Sequence, residues 1–145
     1  MTKPTPAMLG WLQRALRHEF AAARQFTLQA VVARELGDSA LGTECEQSAA
    51  EELQHAQRFA AALAQAGAAF ADGAMASLPT GRSVVELIGH ARTTEAQAVR
   101  LYREAARACV SIVPLRHLFE SIGAEEAMHY EQLTQRLQRV RPRVE

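Results

Sequence analysis

The sequence is short of most features that would take it away from a purely helical protein. It has only two cysteines, Cys45 and Cys109. They lie far apart and in no CxxC pair, which argues against a disulfide framework and against a thiolate metal site. Both fall on apolar helical stripes and are expected to be small buried thiols. Aromatic residues make up 6 % of the chain, and β-branched residues nowhere alternate with the two-residue period of a strand. No apolar run approaches the ~20 residues of a membrane span. Residues 1–6 are polar and lack the apolar segment of a signal peptide. Neither sign of charge is in excess: 16 basic and 16 acidic residues give a formal net charge of zero. The basic footprint of a nucleic-acid binder is therefore missing, and the basic stretch 139–143 is too short to supply it. These absences predict a soluble, cytoplasmic, all-α protein whose partners include neither nucleic acid nor membrane.

What the sequence does contain is Ala, Leu, Glu, Gln and Arg, all good helix formers. Its 145 residues fit one domain, 1–145, long enough to bury roughly two-thirds of the unfolded chain's surface. A first helix is predicted over 6–36, capped by Thr5, with Pro6 at its first position and Gly37 at its end. A second runs over 39–66, capped by Asp38 or Ser39 and stopped by Gly67. A third opens with the capping-box pattern Ser83-Val84-Val85-Glu86 and ends near Cys109. A fourth starts near Pro114 and ends near Val140, where Pro142 discourages continuation. Gly123 within it marks a bend or a close contact. The links between helices 1 and 2 and between helices 3 and 4 are short and make antiparallel neighbours. The stretch 67–82, with its Gly, Pro, Asp and Ser, is long enough to cross the length of a bundle. Two hairpins joined by one long crossover between helices 2 and 3 give an antiparallel four-helix bundle.

Each helix carries an apolar stripe with the same interruption. Leu9, Leu12, Leu16, Ala23, Phe26 and Ala30 surround Glu19. Leu41, Cys45, Ser48, Phe59 and Ala62 surround Glu52 and His55. Val84, Leu87 or Ile88, Ala91, Ala98, Tyr102 and Ala105 surround Glu95. Leu115, Phe119, Ile122, Leu133 and Leu137 surround Glu126 and His129. All four glutamates lie near their helix midpoints, which share one level in a bundle whichever way each chain segment runs. Four buried carboxylates need partners, because an uncompensated buried charge costs several kcal/mol even after relaxation. No Lys or Arg lies on the inward stripes. Two divalent cations would balance four carboxylates, and carboxylate plus imidazole suits iron, manganese or zinc. The i, i+3 spacing of Glu-x-x-His puts both side chains on one helix face.

The sequence also repeats itself. Ala50-Glu51-Glu52-Leu53-Gln54-His55 matches Ala124-Glu125-Glu126-Ala127-Met128-His129 as A-E-E-x-x-H, and Glu19, Ala22, Arg24 and Phe26 align with Glu95, Ala98, Arg100 and Tyr102. Each half is a helical hairpin that supplies one Glu and one Glu-x-x-His. One Glu-x-x-His is a weak signal; two, each paired with a midpoint glutamate at matched spacing, are a strong one. Other polar residues carry plainer expectations. His18 points about 100° away from Glu19 and is expected at the surface. His90 is expected in an exposed pair with Glu86, and His117 in solvent. Glu51 and Glu125 are expected to face water or an access path. Trp11 suits a dimer interface or ordinary packing.

From residue 6 to 140 the pattern resembles the ferritin-like superfamily, and most closely bacterioferritin. The segments 18–26 and 125–129 look like that family's counterparts. The six positions Glu19, Glu52, His55, Glu95, Glu126 and His129 fit its ligand pattern one for one. The resemblance implies a ferroxidase centre with two iron ions, in which O2 or peroxide oxidises Fe(II). Where the family has its haem-binding Met, this chain has Leu53, so haem is not expected. The family's tyrosines near the site correspond to Phe26 and Phe59, and Tyr102 is a substitute. The short fifth helix that serves cage assembly has no counterpart after Pro142, which argues against a storage shell, and there is no four-Cys rubredoxin domain.

The leading expectation is a di-iron ferroxidase. His55 and His129 are terminal ligands, Glu19 and Glu95 terminal or bridging, and Glu52 and Glu126 the bridges. Iron storage or buffering, a di-iron oxygenase acting on an organic substrate, and a structural bundle holding zinc are the alternatives. A homodimer or larger homo-oligomer is expected.

Overall fold

The computed structural model describes residues 3–70 and 77–141; Pro142 and the middle of the crossover lie outside the described residues. Four helices follow in order: α1 (Pro6–Glu35), α2 (Ser39–Gln65), α3 (Val84–Ala108) and α4 (Val113–Val140). No strand occurs among the described residues, and no helix is long and apolar enough to cross a membrane.

Local chemistry explains where the helices begin and end. Thr5 Oγ1 accepts from the Met8 amide at 3.2 Å, with Pro6 at the first position. At the other end of α1, the Gly37 amide donates to Arg34 O and the Asp38 amide to Ala33 O, both at 2.9 Å. Gly37 takes φ +84° to make this turn, a conformation glycine enters without steric cost. Asp38 then caps α2 by accepting from the Leu41 amide at 3.0 Å. At the start of α3, Ser83 Oγ accepts from the Glu86 amide, and Glu86 Oε2 accepts from the Arg82 amide at 2.8 Å. This return contact engages Glu86, so the expected surface pairing with His90 is replaced by a cap; His90 is half-buried. Helix α4 begins one residue before Pro114, with Ile112 as a cap that makes no side-chain hydrogen bond.

The helices pack as two hairpins, α1 on α2 and α3 on α4, with α1 also against α3 and α2 more loosely against α4. One core cluster joins Leu12 and Leu16 to Phe59 and Leu63, Tyr102 and Ala105, and Leu115 and Phe119. Another joins Ala30 and Ala33 to Leu41 and Cys45, Leu87 and Ile88, and Leu137. The end of α1 thus meets the starts of α2 and α3 and the end of α4, so every adjacent pair is antiparallel. Both cysteines are buried and free, as the stripes predict. The Phe59, Tyr102 and Phe119 rings pack at a tilt with centroids 5.2–6.1 Å apart, and Gly123 of α4 faces Tyr102, whose Cβ would make ordinary contact at 3.5 Å with an added methyl.

The crossover is tied to α1 by three glutamines, which sequence periodicity does not flag. Gln13 Nε2 donates to Ala69 O, Gln25 Nε2 to Pro79 O, and Gln29 Nε2 to both Thr80 O and Leu87 O. Gln13 and Gln29 are 16 residues apart, about 24 Å along a helix, so the two tied ends of the connection are separated by about half the length of α1. Gln25 and Gln29 are 1 % and 0 % exposed; without the crossover carbonyls the Gln25 Nε2 would be buried unpaired, and Gln29 would keep only Leu87 O of α3. Gly81, at φ +110°, closes this path. A Cβ there would lie 2.7 Å from the Leu87 amide nitrogen. Gly81→Ala is expected to cost about 1–3 kcal/mol, read from urea unfolding, while Val113→Ala, at a half-exposed site, stays within about 0.5 kcal/mol.

Candidate metal centre

The antiparallel packing brings all six predicted residues into one layer. Glu19 and Glu52 are 0 % exposed, Glu95 and Glu126 1 %, and His55 4 %; the His129 side chain is 19 % exposed. They form two groups of four: Glu19, Glu52, His55 and Glu126 in one, and Glu52, Glu95, Glu126 and His129 in the other. Within each group one donor atom per residue lies within 4.8 Å of all the others. Glu52 and Glu126 belong to both groups.

Both imidazoles turn Nδ1 inward. His55 Nδ1 is 3.1 Å from Glu126 Oε1 and 3.3 Å from Glu19 Oε1. His129 Nδ1 is 3.6 Å from Glu126 Oε1 and 3.9 Å from Glu52 and Glu95. The rings lie 21° from parallel, 6.5 Å apart. Their outer nitrogens face carboxylates from the other hairpin: His129 Nε2 is 2.7 Å from Glu51, and His55 Nε2 is 3.2 Å from Glu125. Glu51 and Glu125 therefore do more than face water, as their positions beside the inward glutamates had suggested. Each stands behind a histidine, where an acceptor holds the proton on the outer nitrogen and leaves the inner one free to ligate. The first glutamate of each A-E-E-x-x-H segment was the available signal.

Three further residues complete the surroundings. Tyr102 donates its hydroxyl to Glu19 Oε1 at 2.8 Å. Arg58, which no motif marked, reaches Glu125 at 3.1 Å and Ser121 Oγ at 3.2 Å. His18 is not at the surface: it is half-buried, edge-on to the Tyr102 ring at 6.3 Å, because it falls between α1 and α3 rather than outside them. His117 is exposed, as expected.

The donor set fits divalent cations. Glu19 Oε2, both Glu52 oxygens, Glu95 Oε2, Glu126 Oε1 and both inward Nδ1 atoms are buried with no hydrogen-bond partner. Leaving such groups unpaired in a native protein is costly. The orphaned atoms are carboxylate oxygens and imidazole nitrogens, the ligands suited to iron, manganese or zinc. Between α2 and α4 a cavity of about 450 Å³, lined by Glu44, Glu51, Gln132 and Arg136 among others, reaches down to Glu95 and His129.

A family model described as the ferritin-like domain matches residues 10–141. Among solved structures, the chain is similar to a bacterioferritin from Rhodobacter capsulatus, described with a metal-free dinuclear site and haem iron. The identity is 22 % and the TM-score 0.90, over 94 % of this chain and 87 % of that one. This likeness shows the fold. No curated protein matches the sequence.

Protons occupy part of the charge balance when no cation is present. Burial pushes Glu19 up to about 8 and holds Glu52 and Glu95 well above the carboxylate range. Burial would raise Glu126 as well, but His129 and His55 beside it outweigh that and hold it low. The Glu126 carboxylate raises His129, and raises His55 against the opposing effect of burial. A carboxyl raised from 4.5 to about 8 binds more protons in the folded state than in the unfolded state between those values. Its contribution to stability is present below that window and lost as pH rises through it; the raised histidines act in the same direction. The metal-free protein is therefore expected to melt at progressively lower temperature from about pH 5 to about pH 9. Zn(II) uptake near pH 7 should release about one or more protons per chain, measurable by calorimetry in buffers of differing ionisation enthalpy. A melting temperature that climbs across this range would contradict the assignment of protonated carboxyls.

Proposed function

The chain belongs to the ferritin-like family, and on that footing we propose that it is a di-iron ferroxidase that takes Fe(II) as substrate and O2 or peroxide as oxidant. The observation that carries this reading is the pair of four-residue groups sharing Glu52 and Glu126, with inward oxygens and nitrogens that have no other partner. Bound as a pair, iron would supply the electron transfer to the oxidant, which no side chain here can perform.

The residues divide the remaining work. Glu52 and Glu126 belong to both groups and would help hold an ion at either position. Glu19 and His55 complete one position, and Glu95 and His129 the other. Glu51 and Glu125 hold the outer imidazole protons and so keep Nδ1 available. The four carboxylates match the charge of two divalent ions, which the buried layer needs because it contains no Lys or Arg. Phe59, Tyr102 and Phe119 close the layer from one end of the bundle, and the α2–α4 cavity that reaches Glu95 and His129 serves as the access route. Its walls carry Glu44, Glu51 and Arg136 beside apolar residues such as Leu41, Leu87 and Met128, so charged groups able to meet a hydrated ion lie along the path to Glu95 and His129. Leu53 offers no iron ligand where the resemblance places a haem-binding Met, so the reading includes no haem. Exposed Phe20 and Val31 on α1 and Leu53 on α2 suit a homodimer or larger homo-oligomer.

Iron storage is the second reading, favoured by the close agreement of this chain's fold with a bacterioferritin subunit. Iron loading separates the two: about two ions per chain defines a centre, and many more defines a mineral core.

Two Fe(II) per metal-free chain, mixed with air-saturated buffer in a stopped-flow instrument, are expected to give a rapid rise in ferric absorbance. Glu52→Ala, which removes a shared ligand, should abolish it and lower iron uptake. Oxidation no faster than in buffer alone would sink the redox reading and leave a structural or zinc-holding bundle.

A further inference from the structure

The two hairpins match at the central layer, yet the grooves along their outer sides differ. With Glu19 set on Glu95 and Glu52 on Glu126, α1 and α3 are offset by 76 residues and α2 and α4 by 74. In the first hairpin the groove between α1 and α2 is filled by Arg34. Its side chain lies across Gly42, where an added Cβ would come within 2.8 Å of Arg34 Cγ. Its guanidinium ends on Glu46 at 2.6 Å. In the second hairpin the three corresponding positions hold Val110, Arg116 and Glu120. Valine is too short to cross the groove, and a cavity of about 480 Å³ is left between α3 and α4.

This cavity has two kinds of wall. Val99, Ala106, Gly123, Ala124 and Ala127 give it an apolar lining, backed by the buried rings of Tyr102 and Phe119. Arg103, Arg107 and Arg116 supply cations, where the first hairpin has Thr27, Val31 and Gly42. Arg103 and Arg107 are exposed, and neither side chain meets a carboxylate among the described residues. Arg116 stands 3.7 Å from Glu120, the single acid in the lining. The two kinds of wall are also separated along the groove. Arg107 and Arg116 lie close to the turn between α3 and α4, whereas Val99 and Ala127 lie close to the central layer, four residues after Glu95 and one after Glu126.

We propose that the α3–α4 cavity binds an organic anion with a carboxylate head and an apolar body, the head taken by Arg103, Arg107 and Arg116 and the body lying along Val99, Ala124 and Ala127. A guanidinium pairs with a carboxylate through two parallel hydrogen bonds. A cavity of this size, apolar with a few charged groups gathered at one end, has the form of a small-molecule site. Burial of the body supplies affinity, and the arginines select the charge. The helix contacts put this groove on the side of the bundle opposite the α1–α2 face, where Phe20, Val31 and Leu53 are exposed, so pairing of two copies through that face leaves it open. None of the six central residues lines the cavity, and the inference stands whatever ions the centre holds.

Titration calorimetry of the full-length protein with decanoate tests it. One decanoate per chain is expected. Acetate has the head alone and decanol the body alone; each should bind at least about tenfold more weakly, the scale of a lost charge-assisted hydrogen bond. Arg103→Gln combined with Arg107→Gln should weaken decanoate by about tenfold or more and leave decanol unchanged. Both positions are exposed, so the melting temperature should not move. Val110→Arg combined with Arg116→Gly restores beside Glu120 the arrangement that fills the first hairpin, and should abolish decanoate binding. No saturable binding of decanoate, or binding that neither pair of substitutions weakens, would overturn the inference. So would acetate binding as tightly as decanoate, which reduces the cavity to a patch of cations. A fall in assembly mass on replacing Arg103 and Arg107 would overturn it too, by assigning the cavity to a second copy of the chain.

Discussion

Four glutamates at most 1 % exposed in the middle of a helical bundle are the constraint on which the rest of the structure depends. Each carboxylate withdrawn from water costs several kcal/mol unless something neutralises it, and the bundle provides no inward Lys or Arg to do so. Protons carry part of the burden in the metal-free protein, which is why Glu19, Glu52 and Glu95 are pushed upward. Two divalent cations would carry it better, because they would balance the charge and give the orphaned oxygens and nitrogens partners at once. The apolar clusters above and below the layer hold the helices at the spacing that keeps these side chains facing one another. Stability is thus supplied by the ends of the bundle and spent at its centre, an arrangement common where a site must be preorganised for a ligand.

Duplicated hairpins explain how such a layer arises from a short chain. Each half contributes one glutamate and one Glu-x-x-His, and antiparallel packing closes the halves around a common centre. The histidines are then backed across the two halves, His129 by Glu51 and His55 by Glu125, so each hairpin supports the other's histidine. The duplication is not perfect, and its imperfections fall at Arg58 against Gln132 and at Tyr102 against Phe26. Those differences lie outside the six central residues and leave the donor set unchanged.

Much of this was legible before any coordinates. Thr5, Pro6, Gly37, Asp38, Gly67 and the Ser83–Glu86 pair mark helix ends through backbone chemistry that acts over a few residues, and the structure uses each of them close to where it was read. The six central residues were legible because they break apolar stripes at matched positions in two repeats. His18 was misplaced because an angle measured from Glu19 on a single helix does not say which neighbour stands there; α3 does, and it covers the ring. Gln25 and Gln29 escaped notice because they are polar residues off the regular stripe, and their burial depends on crossover carbonyls some fifty residues away in the chain. Arg58 escaped for a similar reason: three residues beyond His55, it looks like an ordinary solvated cation until α4 brings Glu125 and Ser121 beside it.

By itself, the sequence determined the helices, their caps, the repeat and the six residues that interrupt the apolar faces, because all of these follow from local periodicity and from which side chains tolerate burial. Only the tertiary structure decided which carboxylate backs which histidine, that Glu52 and Glu126 reach both groups, and that the α2–α4 cavity meets one half of the centre and not the other. Those outcomes depend on distances between residues remote in the chain, which helix packing sets and no single helix encodes.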